Sequence, residues 1–99
     1  MAYNVSETYF FRGITTGSVS ATTGSVVVLA DNPERKMATF CNDSTATMYL
    51  KFGPNASFTD FNVKLLADDY YELPKPVYTG SLSAKWTAVT GSVKVSDTY

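Results

Sequence analysis

The sequence predicts an all-β fold, a single small antiparallel β-sandwich of about seven strands. Between residues 35 and 96, short runs of alternating apolar and polar residues are separated by turn-forming residues. Residues 26–30 add a β-branched run of strand length, and no window shows the periodicity of an amphipathic helix. Many short strands without helices are typical of a sandwich, with a closed barrel as the alternative.

Residues 1–24 are predicted to form an extended N-terminal arm, and residues 25–99 the sandwich domain. Residues 13–24 are rich in Gly, Ser and Thr, a composition typical of an extended segment. The start of the arm has too many aromatic residues for a solvated tail. It is expected either to cover this chain's own core or to dock on a neighbouring subunit, where it could add a strand to a sheet edge. The arm residues expected to make such contacts are Tyr3, Tyr9, Phe10, Phe11 and Ile14.

The first strand of the domain is predicted at residues 26–30, and its continuous apolar run indicates burial on both faces. The next two runs, 35–42 and 46–52, are predicted to pair as an antiparallel hairpin across the polar turn at 42–45. Alternation in these two runs indicates one buried face and one wetter face. The residues expected in the core are Ala38, Phe40, Met48, Leu50 and Phe52.

The second half of the domain continues the alternation. Residues 58–65 are predicted to form a strand, and residues 70–73, which end at Pro74, an edge strand or the end of a strand. The last two strands are predicted around residues 82–86 and 93–96. The residues expected to face the core are Phe61, Val63, Leu65, Leu82, Ala84, Trp86, Val93 and Val95.

The charge balance argues against polyanionic partners. The chain has eight basic and nine acidic residues and a net charge of -1, so no nucleic acid and no membrane surface is expected as a partner. Charged residues make up only 17% of the chain and hydrophobic ones 44%, which favours contact with another protein. Arg35 and the lysines are expected at outward, solvated positions. No secretory signal is recognised in residues 1–7.

The residue types of a reaction centre do not come together in the sequence. The chain has no His and a single Cys, Cys41, which is expected to be a small buried side chain. We therefore expect no enzymatic activity, no cofactor and no metal. Asp68 and Asp69, joined by Asp43 or Asp60, could offer oxygen ligands to calcium, but turn-forming roles are the preferred interpretation.

Outward-facing tyrosines are the candidate contact residues of the domain. Tyr49 and Tyr70 alternate with core positions and are expected to point outward, whereas Trp86 and Tyr71 are expected to pack in the core. The alternative is that Tyr70, Tyr71, Tyr78 and Trp86 form an aromatic platform. Such a platform could hold a sugar ring or another protein's apolar side chain.

The order of these features resembles a known group of proteins. The features are Arg35-Lys36, Phe40, the run 42–53, the segments 70–74 and 78–80, and the late Trp86. This pattern resembles small accessory structural proteins of tailed bacteriophages, a set that includes head decoration and other minor virion proteins. The resemblance covers residues 33 to 96.

The resemblance implies a virion structural protein that is assembled in the host cytoplasm. Its expected partners are the major capsid protein or other virion subunits, and a homo-oligomer is expected. The leading expectation is a capsid decoration or cement protein. One alternative is a carbohydrate-binding host-recognition module of a phage appendage, with glycan held on Tyr49, Tyr70 or Tyr78, and another is a tail or neck component.

Overall fold

The computed structural model describes residues 12–99, and this part of the chain contains eight β-strands and no helix. The all-β prediction is therefore confirmed, with one strand more than the seven expected. The strands are β1 (Ile14–Ser20), β2 (Val26–Leu29), β3 (Met37–Asp43), β4 (Met48–Phe52), β5 (Val63–Leu65), β6 (Tyr70–Glu72), β7 (Leu82–Trp86) and β8 (Ser92–Thr98).

The strands form two four-stranded antiparallel sheets. Sheet A has the order β1-β8-β3-β6, and sheet B has the order β2-β7-β4-β5. Within residues 12–99, each sheet therefore has two central strands and two edge strands. The prediction that residues 70–73 form an edge strand is confirmed by β6.

Both sheets contribute to one hydrophobic core. Phe40 on β3 and Val93 on β8 come from sheet A, and Leu50 and Trp86 come from sheet B; all four are fully buried. All four lie at the strand positions that the alternation of apolar and polar residues assigns to the core. Burial of these apolar side chains is the main force that holds the two sheets together.

The predicted hairpin between residues 35–42 and 46–52 is wrong, because β3 and β4 lie in different sheets. The side chain of Asn42 is buried where the chain leaves sheet A, and its Nδ2 donates to the carbonyl oxygens of Ala46 at 2.8 Å and Leu65 at 3.0 Å. Its Oδ1 accepts from the indole Nε1 of Trp86 at 3.1 Å. These bonds satisfy backbone groups at the crossing. β3 pairs with β8 and β6 instead of with β4.

β1 lies inside the segment that was predicted to be an arm. It pairs with β8 along all seven of its residues, and the backbone bonds between Gly13 and Tyr99 continue the pairing. Six of its seven residues are exposed, so side chains on both faces of the strand reach solvent, and Ile14 is 55% exposed. Backbone hydrogen bonds hold this strand in the sheet, and its side chains are not buried in the core. Its sequence therefore lacks the apolar alternation from which a strand is predicted. The predicted arm contacts at Tyr3, Tyr9, Phe10 and Phe11 lie outside the described residues.

Three further expectations about burial are wrong. Residues 26–30 are not buried on both faces, because β2 is an edge strand of sheet B and Val27 is 55% exposed. Phe61 does not face the core, because β5 starts only at Val63 and the preceding residues form a loop. Cys41 is half-buried, because it points away from the core on the face of β3 opposite Phe40.

Arg35 is buried and not solvated as predicted. Its Nε donates to Oδ1 of Asp97 at 2.9 Å, and its Nη1 donates to the carbonyl oxygens of Tyr78 at 2.9 Å and Gly80 at 3.0 Å. Its Nη2 donates to the carbonyl oxygen of Ala30 at 2.6 Å. A planar guanidinium can satisfy several acceptors at once, so this side chain ties the loops after β2 and β6 to β8.

Candidate contact surface on sheet B

The outer face of sheet B, the face turned away from the core, has Tyr49 at its centre. Tyr49 on β4 lies opposite Lys64 on β5 and opposite Lys85 on β7. Because side chains alternate across a strand, these three point outward while Met48 and Leu50 point into the core. The sheet therefore presents one aromatic ring between two lysines.

The loop that joins β4 to β5, residues 53–62, folds back across this outer face. The Oγ of Ser83 on β7 donates to the carbonyl oxygen of Gly53 at 2.7 Å and accepts from the N–H of Ala56 at 3.1 Å. Ala56 also donates to the Oγ of Ser25 at 3.0 Å and is itself buried. Gly53 has a φ of 121°, a backbone conformation that L side chains rarely adopt. These contacts fix the start of the loop against the sheet.

The loop brings two phenylalanines to Tyr49, and we call Tyr49, Phe58 and Phe61 the aromatic cluster. The Tyr49 ring lies 5.0 Å from the Phe58 ring and 4.9 Å from the Phe61 ring between centroids, both edge-to-face. This arrangement is favourable for aromatic pairs. Phe58 and Phe61 remain 45% and 38% exposed. A cluster of large apolar rings left open to solvent is typical of an interaction surface.

Lysines border the aromatic cluster. The Nζ of Lys85 lies 4.2 Å from the centroid of the Phe58 ring, and the Nζ of Lys64 lies 5.9 Å from that of Tyr49. Both distances are within the range of cation–π attraction. Lys51 forms an ion pair of 2.6 Å with Asp60 of the loop. The surface therefore combines an apolar centre with a mainly positive border.

The sequence-predicted site residues that lie within residues 12–99 are not brought together by the fold. Tyr49 lies in the aromatic cluster, but Tyr70 on β6 and Ile14 on β1 lie at the two opposite edges of sheet A. Tyr70 is 61% exposed, and its hydroxyl donates to Oε1 of Glu72 at 3.5 Å. Desolvation and the adjacent Glu72 carboxylate both raise the pKa of Tyr70 above its usual 10.0.

The predicted platform of Tyr70, Tyr71, Tyr78 and Trp86 does not form. Trp86 is fully buried, and Tyr71 packs on Phe40 in the core, as the core interpretation predicted. Tyr78 is stacked on Phe52, with ring centroids 5.2 Å apart. These side chains serve packing and leave no shared exposed face.

Phe58 and Phe61 are the surface residues that the sequence analysis missed. They were counted as part of a strand, but their spacing of three residues puts them on opposite faces of any strand. The mutual backbone bonds between Ser57 and Asp60 close a turn that brings both rings to the same side. The preceding Gly53-Pro54 pair was the available signal that the strand had ended.

Residues 12–99 contain no group of three or more His, Cys, Asp or Glu side chains placed to hold a metal ion. The same residues include no helix long and apolar enough to cross a membrane. Comparison with family models, with curated proteins and with solved structures gives no match for this chain. The geometry and chemistry of the surface are therefore the observations that bear on its function.

Proposed function

We propose that this protein is a bacteriophage virion structural protein, a capsid decoration or cement protein that binds coat subunits. The sequence resemblance supplies the virion context. The exposed aromatic cluster with its lysine border is the observation that carries the contact role. In this proposal the two sheets form a rigid β-sandwich that presents this surface.

The aromatic cluster is the centre of the proposed contact. Interfaces are enriched in aromatic side chains at their centre and have a polar, charged border. Phe58 and Phe61 offer rings of fixed position, because Tyr49 packs against both. The coat surface that fits them is an apolar patch bordered by carboxylates, which Lys64 and Lys85 would attract.

The aromatic residues at the start of the chain would add a second contact. They would bury apolar area on an adjacent subunit, each Å² contributing about 25 cal/mol before the loss of chain entropy. Repetition over a capsid lattice turns such single contacts into a strong collective one, which would help the shell to resist the pressure of packaged DNA. The aromatic residues concerned are Tyr3, Tyr9, Phe10 and Phe11.

Rebinding to stripped particles tests the contact role. The double variant Phe58→Ser, Phe61→Ser should lose occupancy at protein concentrations that saturate with wild type, because buried aromatic anchors are worth about 2 kcal/mol or more each. The matched control is Val89→Ser, which removes an apolar side chain that is 69% exposed in the β7–β8 connection. Full occupancy by the double variant, with its fold unchanged by NMR, would refute a contact through this surface.

A carbohydrate-binding module of a phage appendage is the second candidate, favoured by one observation. The exposed rings lie beside the Lys51–Asp60 pair, which could hydrogen-bond a sugar hydroxyl. Titration of host polysaccharide decides this, because sugar binding would shift the NMR signals of Tyr49 and Phe58. A tail or neck component remains a third placement, and separation of heads from tails shows which of them retains the protein.

A further inference from the structure

β1 is an edge strand of seven residues, and within residues 12–99 no other strand pairs with its outer side. Gly13 and Tyr99 exchange backbone hydrogen bonds, so the odd-numbered residues of β1 bond to β8 by antiparallel alternation. The even-numbered residues then point their N–H and C=O groups away from the sheet. These residues are Ile14, Thr16, Ser18 and Ser20.

The other three edge strands each carry a feature that discourages pairing with another chain. β2 has four residues and a register shift between Val27 and Leu29, and β5 has three residues with Lys64 in the middle. β6 has three residues, ends with Glu72 and is followed by Pro74. Short length, irregularity, charge and proline are the usual protections of an edge strand.

β1 has none of these features. It is the longest edge strand of the described residues, its register with β8 is unbroken, and it contains no charged residue and no proline. Its side chains are exposed on both faces except for Val19. A long, regular, uncharged edge of this kind is a template for strand addition.

We propose that β1 pairs with β1 of a second copy of this chain, antiparallel across a two-fold axis at Gly17. In that register Thr16 lies opposite Ser18 of the other copy, so their outward backbone groups face each other and their hydroxyls form a cross-strand pair. No residue of β1 is charged, which lets two identical edges approach, and the one lysine that reaches the strand, Lys94 of β8, donates to the Oγ of Ser18 at 3.2 Å. An axis at the middle of β5 would instead set Lys64 against itself. The two copies of sheet A then form one eight-stranded sheet.

Edge variants test the pairing in the isolated protein. Sedimentation velocity from about 1 µM to about 1 mM should show a monomer–dimer equilibrium. Ser18→Pro removes an outward N–H without removing a backbone bond to β8. It should weaken the dimer at least about tenfold, because the two-fold axis makes the substitution remove one bond in each copy. The control Glu72→Pro makes the same change at the opposite edge of sheet A and should leave the dimer intact.

Covalent capture tests the register. In a Cys41→Ser background, Gly17→Cys places two thiols at the axis, where the Cα atoms of a non-hydrogen-bonded pair are about 4.5 Å apart and can form a disulfide. The nearest neighbour of a Cβ at Gly17 is Val95 at 3.9 Å, so the substitution fits. Ser20→Cys in the same background is the control, because its thiols would be about 20 Å apart.

A monomer at every concentration, or a dimer that survives Ser18→Pro, would overturn the pairing. Equal oxidation of the two cysteine variants would overturn the register. The self-contact at β1 adds to the proposed function, and it can fail independently of the coat contact on sheet B. If Ser18→Pro abolishes the dimer but still reaches full occupancy on particles, the self-contact is present and the coat contact does not depend on it. If the aromatic double variant loses occupancy on particles but still forms the dimer, the coat contact is lost and the self-contact is kept.

Discussion

Two buried polar side chains hold parts of this fold that hydrophobic packing does not. Arg35 joins the loops after β2 and β6 to Asp97 on β8, and its side chain has no exposed surface. Asn42 uses both ends of its amide, with Nδ2 as donor to carbonyl oxygens and Oδ1 as acceptor from Trp86. A partner lost from either network would leave a buried polar group unsatisfied, which is expensive in a low-dielectric interior.

Arg35→Met should lower the free energy of unfolding by about 3–5 kcal/mol, because it leaves the Asp97 carboxylate without its charged partner. Urea denaturation followed by the fluorescence of the buried Trp86 measures this. The matched control is Arg12→Met, which breaks the Arg12–Glu34 pair of 2.7 Å, whose side chains are 65% and 60% exposed. That change should cost less than about 1 kcal/mol, and equal effects of the two variants would contradict the role of Arg35.

Asn42→Asp should destabilise the protein by about 3 kcal/mol or more, because the amide donor is replaced by an oxygen that faces carbonyl oxygens. Thermal unfolding by circular dichroism measures the change. Asn62→Asp is a control of the same chemistry: the Oδ1 of Asn62 accepts from the N–H of Phe52, and a carboxylate can still do so. If both variants melt at the same temperature, the amide donor of Asn42 contributes little to the stability of the protein.

The sequence predicted which residues of each strand face the core, but it did not predict which strands pair with each other. Phe40, Leu50 and Trp86 are buried where alternation places them. The partner of each strand depends on contacts far apart in the chain, and so β3 and β4 separate although their sequences suit a hairpin. Arg35 was assigned to solvent, because a single sequence does not show that several acceptors surround it.

At the scale of elements, the candidate surface depends on one loop more than on any strand. Tyr49 was predicted to point outward, but Phe58 and Phe61 reach it through a turn of residues 57–60. The hydroxyl of Ser83 anchors this loop to β7. The strands supply a flat support, and the loop supplies most of the exposed aromatic area.

Ser83→Ala should release the loop, because the carbonyl oxygen of Gly53 loses its donor in a buried position. We expect a loss of about 1–3 kcal/mol in the free energy of unfolding and faster amide exchange in residues 53–62. Hydrogen exchange by NMR measures the second effect, with Ser18→Ala as a control at an exposed hydroxyl of sheet A. Unchanged exchange in residues 53–62 would refute the anchoring role.

In the whole molecule, the proposed coat contact and the proposed self-contact lie on separate surfaces. The aromatic cluster and its lysines lie on the outer face of sheet B, whereas β1 lies at an edge of sheet A. In the proposed roles, the first surface would bind a coat subunit and the second would bind another copy of this chain. Such separation suits a lattice, in which each copy needs more than one neighbour.

Hydrogen–deuterium exchange can compare the free protein with the protein bound to the proposed phage particle. We expect protection on binding to be concentrated in β4 and in residues 53–62, which present Tyr49, Phe58 and Phe61. Amides of β3, which lies in the centre of sheet A, serve as the internal reference. Exchange in residues 48–62 that is the same for bound and free protein would contradict a contact through this surface.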